Sequence, residues 1–166
     1  EKNKEDIGLL EGKDGKIVLS SGREPSCIKY LNRELNLKNP MIGLNGGIIT
    51  DYTGNRIFYE ECIEEIAAKK FIELMEKFNM YGVVFMRDSL YVSNKNDTRF
   101  DIFGQYSHSH TEAVGSISEY LEKNQLWSNI NKVLLSDDSE KLVEFKASLQ
   151  EETDNKLTME FSMPFF

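Results

Sequence analysis

The chain has 166 residues, of which 40% are hydrophobic, and its ten phenylalanines and seven tyrosines are enough to furnish a buried core. Its formal net charge of −8 argues against a nucleic-acid partner, which requires clustered lysine and arginine. No apolar run approaches the roughly 20 residues that cross a bilayer, and no secretion signal is visible. We therefore expect a cytoplasmic protein without membrane contact.

A short helix remnant is expected over residues 4–10, and the first strongly patterned stretch follows it at residues 16–25, KIVLSSGREP. Ile17 to Ser20 starts with three large apolar residues, which predicts a strand buried on both faces. The sequence Ser21-Gly22-Arg23 ends that strand. Pro25 lies where the first turn of a helix would begin.

The residue types in this turn suit a phosphate ligand. Gly22 lets the main chain approach an anion closely, and the guanidinium of Arg23 can pair with two phosphate oxygens. The following helix would direct its free N–H groups and positive dipole end to the same place. The alternative is an ordinary strand-to-helix turn with a polar cap, because Ser-Gly-Arg is short and common in loops.

A second polar turn follows at a fixed distance. Apolar residues Ile28, Leu31 and Leu35 recur at helical spacing, and residues 41–44 then predict another buried strand that ends in Asn45-Gly46-Gly47. Strand, helix and strand form one parallel crossover, which brings both glycine-bearing turns to the same sheet edge.

The order IVLSSGREP, helix, NPMIGLNGGIITD resembles the haloacid dehalogenase (HAD) superfamily, and within it the Cof-type sugar-phosphate phosphatases. The resemblance implies an α/β fold in which residues 1–47 form part of a Rossmann-like core. Residues 48–162 would form the large open-sheet α/β cap domain, and residues 163–166 would start the return to the core.

The resemblance also implies a function: a magnesium-dependent hydrolase that cleaves small phosphorylated substrates through a phospho-aspartyl intermediate. Ser21 and Arg23 would be catalytic, and Gly22, Asn45 and Gly46 would contact the substrate. The Asp-x-Asp-Gly strand that carries the nucleophile in such enzymes is not found, nor are the later lysine and acidic motifs.

We therefore expect a fragment of a phosphatase that is inactive alone, with most Mg²⁺ ligands outside the chain and no metal site assigned within it. The alternative is a non-catalytic cap-type domain that binds a phosphate ligand or a protein partner. The sequence does not indicate the oligomeric state.

Alternating patterns and helical stripes predict the elements of the second half of the chain. Residues 47–60 and 81–93 read as hairpins. Residues 61–78 predict a helix with an apolar stripe at Ile63, Ile66, Ala67, Phe71, Leu74 and Phe78.

Beyond residue 110 the pattern predicts a helix from Thr111, a strand at residues 132–136, a helix over Leu142, Phe145 and Leu149, and a last strand at residues 157–162.

Four other features invite a functional interpretation. His108 and His110 lie in an irregular segment, for which a metal site, a substrate-facing loop and an ordinary surface loop all stay open. Asp137-Asp138 is interpreted as a helix cap rather than a metal site.

Trp127 is expected in the core. Cys27 and Cys62 are expected inside helices and reduced, since they lack metal-ligand spacing.

Overall fold

The computed structural model describes residues 2–97, 110–153, 157 and 159–161. The chain divides into two compact units, residues 1–61 and residues 62–166. The first unit thus extends past residue 47, because the hairpin at residues 48–60 pairs with the first sheet. None of the described helices is long and apolar enough to cross a membrane.

The first unit contains two helices and one four-stranded mixed sheet. Its elements in chain order are α1 (Lys2–Glu11), β1 (Leu19–Ser20), α2 (Pro25–Glu34), β2 (Met41–Gly43), a 3-10 turn (Leu44–Gly46), β3 (Ile48–Thr50) and β4 (Ile57–Glu60). The strands lie in the order β1-β2-β3-β4. β1 runs parallel to β2, which confirms the predicted crossover, and β3 and β4 form the predicted antiparallel hairpin.

One prediction about burial in this unit is wrong, and one apolar residue of the predicted helix is exposed. β1 is short, and Val18 just before it is 46% exposed, because β1 lies at the edge of the described sheet and pairs only with β2. Leu31 is 47% exposed, since α2 is rotated so that Ile28 and Asn32 face inward. The start of α2 at Pro25 is as predicted.

The second unit contains three helices and a second four-stranded sheet within its described residues. Its elements are α3 (Glu65–Lys77), β5 (Tyr81–Met86), β6 (Ser89–Val92), β7 (His110–Ala113), α4 (Ile117–Asn124), a 3-10 turn (Trp127–Asn129), β8 (Lys132–Ser136) and α5 (Ser139–Glu152). The strand order is β7-β6-β5-β8, with β6 and β7 parallel and the other pairs antiparallel. The fold is therefore mixed α/β.

The three helices and the sheet bury one apolar core in this unit. Phe145 of α5 is fully buried and meets the ring of Phe71 edge-on, with 5.3 Å between the ring centroids. Trp127 belongs to this core, as predicted. Ile66 does not, being 66% exposed, because α3 instead turns Ala68, Ile72 and Met75 inward.

Several local predictions in this unit are corrected. Residues 111–113 form part of strand β7 rather than a helix, because they pair with β6. Helix α4 starts only after Gly115, whose φ of 75° lies outside the helical region. Leu157 and residues 159–161 are not in a strand.

Cys62 precedes α3 instead of lying within it, and Cys27 and Cys62 are both reduced thiols, as expected. His108 and residues 163–166 lie outside the described residues. Asp138 occupies the N-cap position of α5 without a side-chain cap bond.

Candidate functional site

The Ser21-Gly22-Arg23 turn and the Asn45-Gly46 turn lie side by side at the carboxyl ends of β1 and β2. Two main-chain hydrogen bonds join them: the Asn45 N–H donates to the Ser21 carbonyl (3.1 Å), and the Leu44 N–H donates to the Arg23 carbonyl (2.9 Å). The Ser21 N–H continues the strand pairing by donating to the Ile42 carbonyl (2.9 Å). The structure therefore brings together all five residues that the sequence singled out.

The two turns are packed closely where Gly22 faces Asn45. A Cβ atom placed on Gly22 would lie 2.9 Å from Oδ1 and 3.1 Å from Nδ2 of Asn45. Real Cβ atoms do not approach other atoms so closely, so any larger residue at position 22 would displace the Asn45 amide. A residue larger than glycine at position 22 therefore requires the exposed Asn45 side chain to move.

The second turn holds three consecutive residues in the left-handed region. The φ angles are 50° at Leu44, 59° at Asn45 and 101° at Gly46. Asparagine and glycine adopt such angles readily, but a bulky residue such as leucine does so at a cost. Leu44 is buried, and its carbonyl accepts a hydrogen bond from the Gly47 N–H (3.1 Å), so packing and hydrogen bonding hold the strained turn in one shape.

The hydroxyl of Ser21 is oriented by the main chain of its own turn. Its Oγ accepts a hydrogen bond from the Arg23 N–H (3.2 Å), so its own O–H can donate elsewhere. Ser21 is half-buried, whereas Arg23 is exposed. The turn thus presents a hydroxyl donor and a guanidinium at one edge of the sheet, which are groups that bind phosphate oxygens.

Helix α2 begins directly after this turn and is capped by Glu24. The Glu24 carbonyl accepts the N–H groups of Cys27 (3.1 Å) and Ile28 (3.4 Å), and Pro25 fills the first helical position. The positive end of the helix dipole therefore lies next to Arg23.

Sequence reasoning missed the carboxyl group of Glu24. It is only 3% exposed, and its Oε1 accepts a hydrogen bond from the Cys27 Sγ (2.9 Å). The position of Glu24 directly before Pro25, which starts the helix, is a signal that could have pointed to it. The burial of Glu24, however, depends on packing that no local sequence pattern encodes.

The described residues do not assemble a metal centre. Within residues 2–97, 110–153, 157 and 159–161, no three or more His, Cys, Asp or Glu side chains come together in a group that could hold an ion. His110 is the first residue of β7, in the second unit.

The parallel crossover, with two polar turns at the carboxyl edge and a helix N-terminus behind them, defines an α/β protein of the class that binds ligands at this edge of the sheet. The sequence model of the haloacid dehalogenase-like hydrolases matches residues 1–166. The chain belongs to this family. A comparison with curated protein sequences finds none that matches.

Solved structures show the same fold at low sequence identity. A haloacid dehalogenase-like hydrolase from Bacteroides thetaiotaomicron has a TM-score of 0.82 at 17% identity, and the match covers 98% of this chain and 60% of that one. The TM0651 protein of Thermotoga maritima has a TM-score of 0.79 at 24% identity, with 99% and 60% covered. The chain thus spans about 60% of the length of these two structures.

A third similar structure carries a functional description in its name. The HAD subclass IIB sugar phosphatase BT4131 has a TM-score of 0.66 at 18% identity, and the match covers 87% of this chain and 54% of that one. These likenesses establish the fold, and the description as a sugar phosphatase is a statement about BT4131.

Proposed function

We propose that this chain is part of a Cof-type phosphatase that hydrolyses phosphomonoesters of small metabolites, and that the Ser21-to-Arg23 turn and the Asn45-Gly46 turn together bind the phosphoryl group. In this proposal the first unit contributes part of the catalytic core and the second unit is the cap. A cytoplasmic location belongs to the same proposal. The observation that carries it is the pair of main-chain hydrogen bonds that lock the two turns together.

Ser21 and Arg23 act directly on the phosphoryl group in this account. The Ser21 O–H donates a hydrogen bond to one phosphoryl oxygen, while the Ser21 oxygen accepts the Arg23 N–H. The exposed Arg23 side chain neutralises the negative charge that the transition state spreads over the remaining oxygens. The dipole of α2 adds to this stabilisation, since the helix begins two residues later at Pro25.

Gly22, Asn45 and Gly46 shape the surface that the substrate meets. Gly22 leaves space that any side chain would fill, and the Asn45 amide lies next to that space. Gly46 adopts a φ of 101°, where an added Cβ would meet no neighbour but the backbone would be strained. Gly46 is therefore proposed to serve the turn's shape, and Asn45 to offer an amide to the substrate.

Magnesium and the nucleophile belong to the proposal for the whole enzyme. In the HAD family Mg²⁺ supplies charge neutralisation at the phosphoryl group. The described residues contain no group of three or more His, Cys, Asp or Glu side chains that could hold the ion. We propose that its ligands lie mostly outside the 166 residues, as the family resemblance implies. We propose the same for the attacking aspartate, because no Asp-x-Asp-Gly motif occurs in the sequence.

The test combines binding and turnover on the full 166-residue chain. Inorganic phosphate is titrated by calorimetry, and phosphate release from para-nitrophenyl phosphate is followed with Mg²⁺ present. We expect saturable binding without release, and loss of binding in Ser21→Ala and Arg23→Gln. Lys77→Gln is the matched control for charge, because Lys77 is exposed at the end of α3.

The outcomes separate the proposal from its alternatives. Binding that is unaffected by Ser21→Ala and Arg23→Gln would remove both residues from the site. If phosphate does not bind at all, the chain fits better as a domain that contacts a protein partner. Release by the 166-residue chain would overturn the assignment of the nucleophile to a region outside it.

A further inference from the structure

A second cluster of cations lies in the first unit at the other edge of the sheet. It surrounds an open pocket of about 150 Å³ lined by Lys29, Arg33, Leu37, Lys38, Tyr52 and Thr53. Lys29 and Arg33 are one helical turn apart on α2, and Lys38 follows the helix. Buried Leu37 forms an apolar wall of the pocket.

The strand register separates this pocket from the candidate phosphate site. Met41, at the start of β2, pairs with Thr50, and Gly43, at its end, pairs with Ile48. The hairpin turn that carries Tyr52 therefore lies beside the start of β2, whereas Asn45 lies beyond its end. The two sites occupy opposite edges of the same sheet.

The cations of the pocket have no ion-pair partner among the residues that the structure describes. Among the described residues, none of Lys29, Arg33 and Lys38 forms an ion pair with a carboxylate. Lys38 instead places its Nζ 5.2 Å from the centre of the Tyr52 ring. Like charges one helical turn apart repel each other, so an anion in the pocket would relieve this repulsion.

Asp51 and Glu34, which are adjacent in sequence to residues of the pocket lining, already have partners. Asp51 accepts the Thr53 hydroxyl and the N–H groups of Asn55 (2.9 Å) and Arg56 (3.0 Å) within the hairpin turn. Glu34 pairs with Lys4 over 3.3 Å. Three cations thus line one pocket in a chain whose net charge is −8.

We propose that this pocket is a second anion site, which binds a small polyanion of the pyrophosphate class. Arg33 provides a forked donor for phosphate oxygens, and Lys29 and Lys38 provide point charges. Tyr52, 41% exposed, closes one side with a ring that already holds Lys38 in place. The proposal does not depend on the candidate phosphatase site.

The test is a titration of the full chain with inorganic pyrophosphate, followed by ¹H–¹⁵N NMR at about 0.15 M salt, where unspecific attraction is screened beyond roughly 8 Å. We expect saturable shifts of the amides of Lys29, Leu37 and Thr53. The double variant Lys29→Gln/Arg33→Gln should weaken this binding by at least about tenfold, because it removes two charge-assisted contacts.

Two matched variants make the result decisive. Lys77→Gln/Lys123→Gln changes the net charge equally, with both residues exposed in the second unit, and should leave the binding unchanged. Arg23→Gln should also leave it unchanged while weakening any binding at the opposite edge. Shifts that do not saturate, that weaken equally in both double variants, or that are confined to residues 21–23 and 45–46 would overturn the proposal.

Discussion

The main-chain N–H of Asn45 donates a hydrogen bond to the carbonyl oxygen of Ser21 over 3.1 Å, although the two residues belong to different strand-to-loop turns. This bond fixes the second turn against the first. It also places the Asn45 amide next to Gly22, where an added methyl group would lie 2.9 Å from Oδ1. The two turns therefore form one surface, and a change in either should affect both.

Gly22→Ala should weaken phosphate binding. Its effect on the free energy of phosphate binding should be larger than its effect on the free energy of unfolding. The new methyl group displaces the exposed Asn45 side chain, which can move without opening the core. Calorimetric titration with phosphate and thermal unfolding measure the two effects. Gly8→Ala is the control, because an added Cβ there meets nothing within 4 Å. Unchanged phosphate binding in Gly22→Ala would contradict the close packing of the turns.

Gly82→Ala should destabilise the second unit by about 1–3 kcal/mol, because the methyl group would overlap the buried sulfur of Met75. Met75→Ala alone should also destabilise, by about 2–5 kcal/mol, through the cavity it leaves. The double variant should lose less stability than the two single losses combined, since the methyl group then occupies part of the cavity. Additive losses in urea unfolding would show that the two residues do not share this space.

Glu76 should be needed to join helices α3 and α4. Its carboxylate accepts hydrogen bonds from the hydroxyls of Ser116 and Ser118 and from the Ser118 N–H, so it caps the first turn of α4 from a neighbouring helix. Glu76→Ala should cost about 1–3 kcal/mol of stability, measured by urea unfolding. Glu73→Ala, at an exposed position of the same helix, should cost much less.

The β3–β4 hairpin should weaken in acid. Hydrogen bonds from Thr53, and then from the Arg56 and Asn55 N–H groups, hold the pKa of the Asp51 carboxyl below its ordinary value of 3.8. Since the folded pKa is the lower one, the stabilisation is complete above the unfolded pKa and is lost as pH falls through the folded pKa. NMR titration of the Asp51 carboxyl should give a midpoint below 3.8.

In Asp51→Asn, the change in the NMR chemical shifts of the hairpin amides on acidification should disappear. Persistence of the same change in that variant would assign it to another group.

The elements that the sequence predicted well are those whose cause is local. Pro25 starts α2, and the turn between β3 and β4 closes a hairpin between neighbouring segments. Residues 111–113 were mistaken for a helix because they form a strand only through pairing with β6, which lies far back in the chain. Ile66 was placed in the core because a stripe predicts a helical face but not its rotation against the sheet.

The candidate site follows the same division. The meeting of the two turns was predictable, since a parallel crossover brings the ends of β1 and β2 to one edge. The close approach of Gly22 to Asn45, the left-handed φ of Leu44 and the burial of Glu24 were not, because each depends on packing between segments. The Asp137-Asp138 pair is a different case: Lys141 pairs with Asp137 over 2.8 Å, a local contact four residues apart that the cap interpretation did not include.

The most direct test of the central proposal is a ¹H–¹⁵N NMR titration of the full chain with inorganic phosphate. If the two turns form one phosphate site, the amides of Gly22, Asn45 and Gly46 should shift together with a single dissociation constant, and Ser21→Ala should abolish all three shifts. Shifts of Gly22 without Asn45 and Gly46, or shifts that survive Ser21→Ala, would show that the turns do not act as one site.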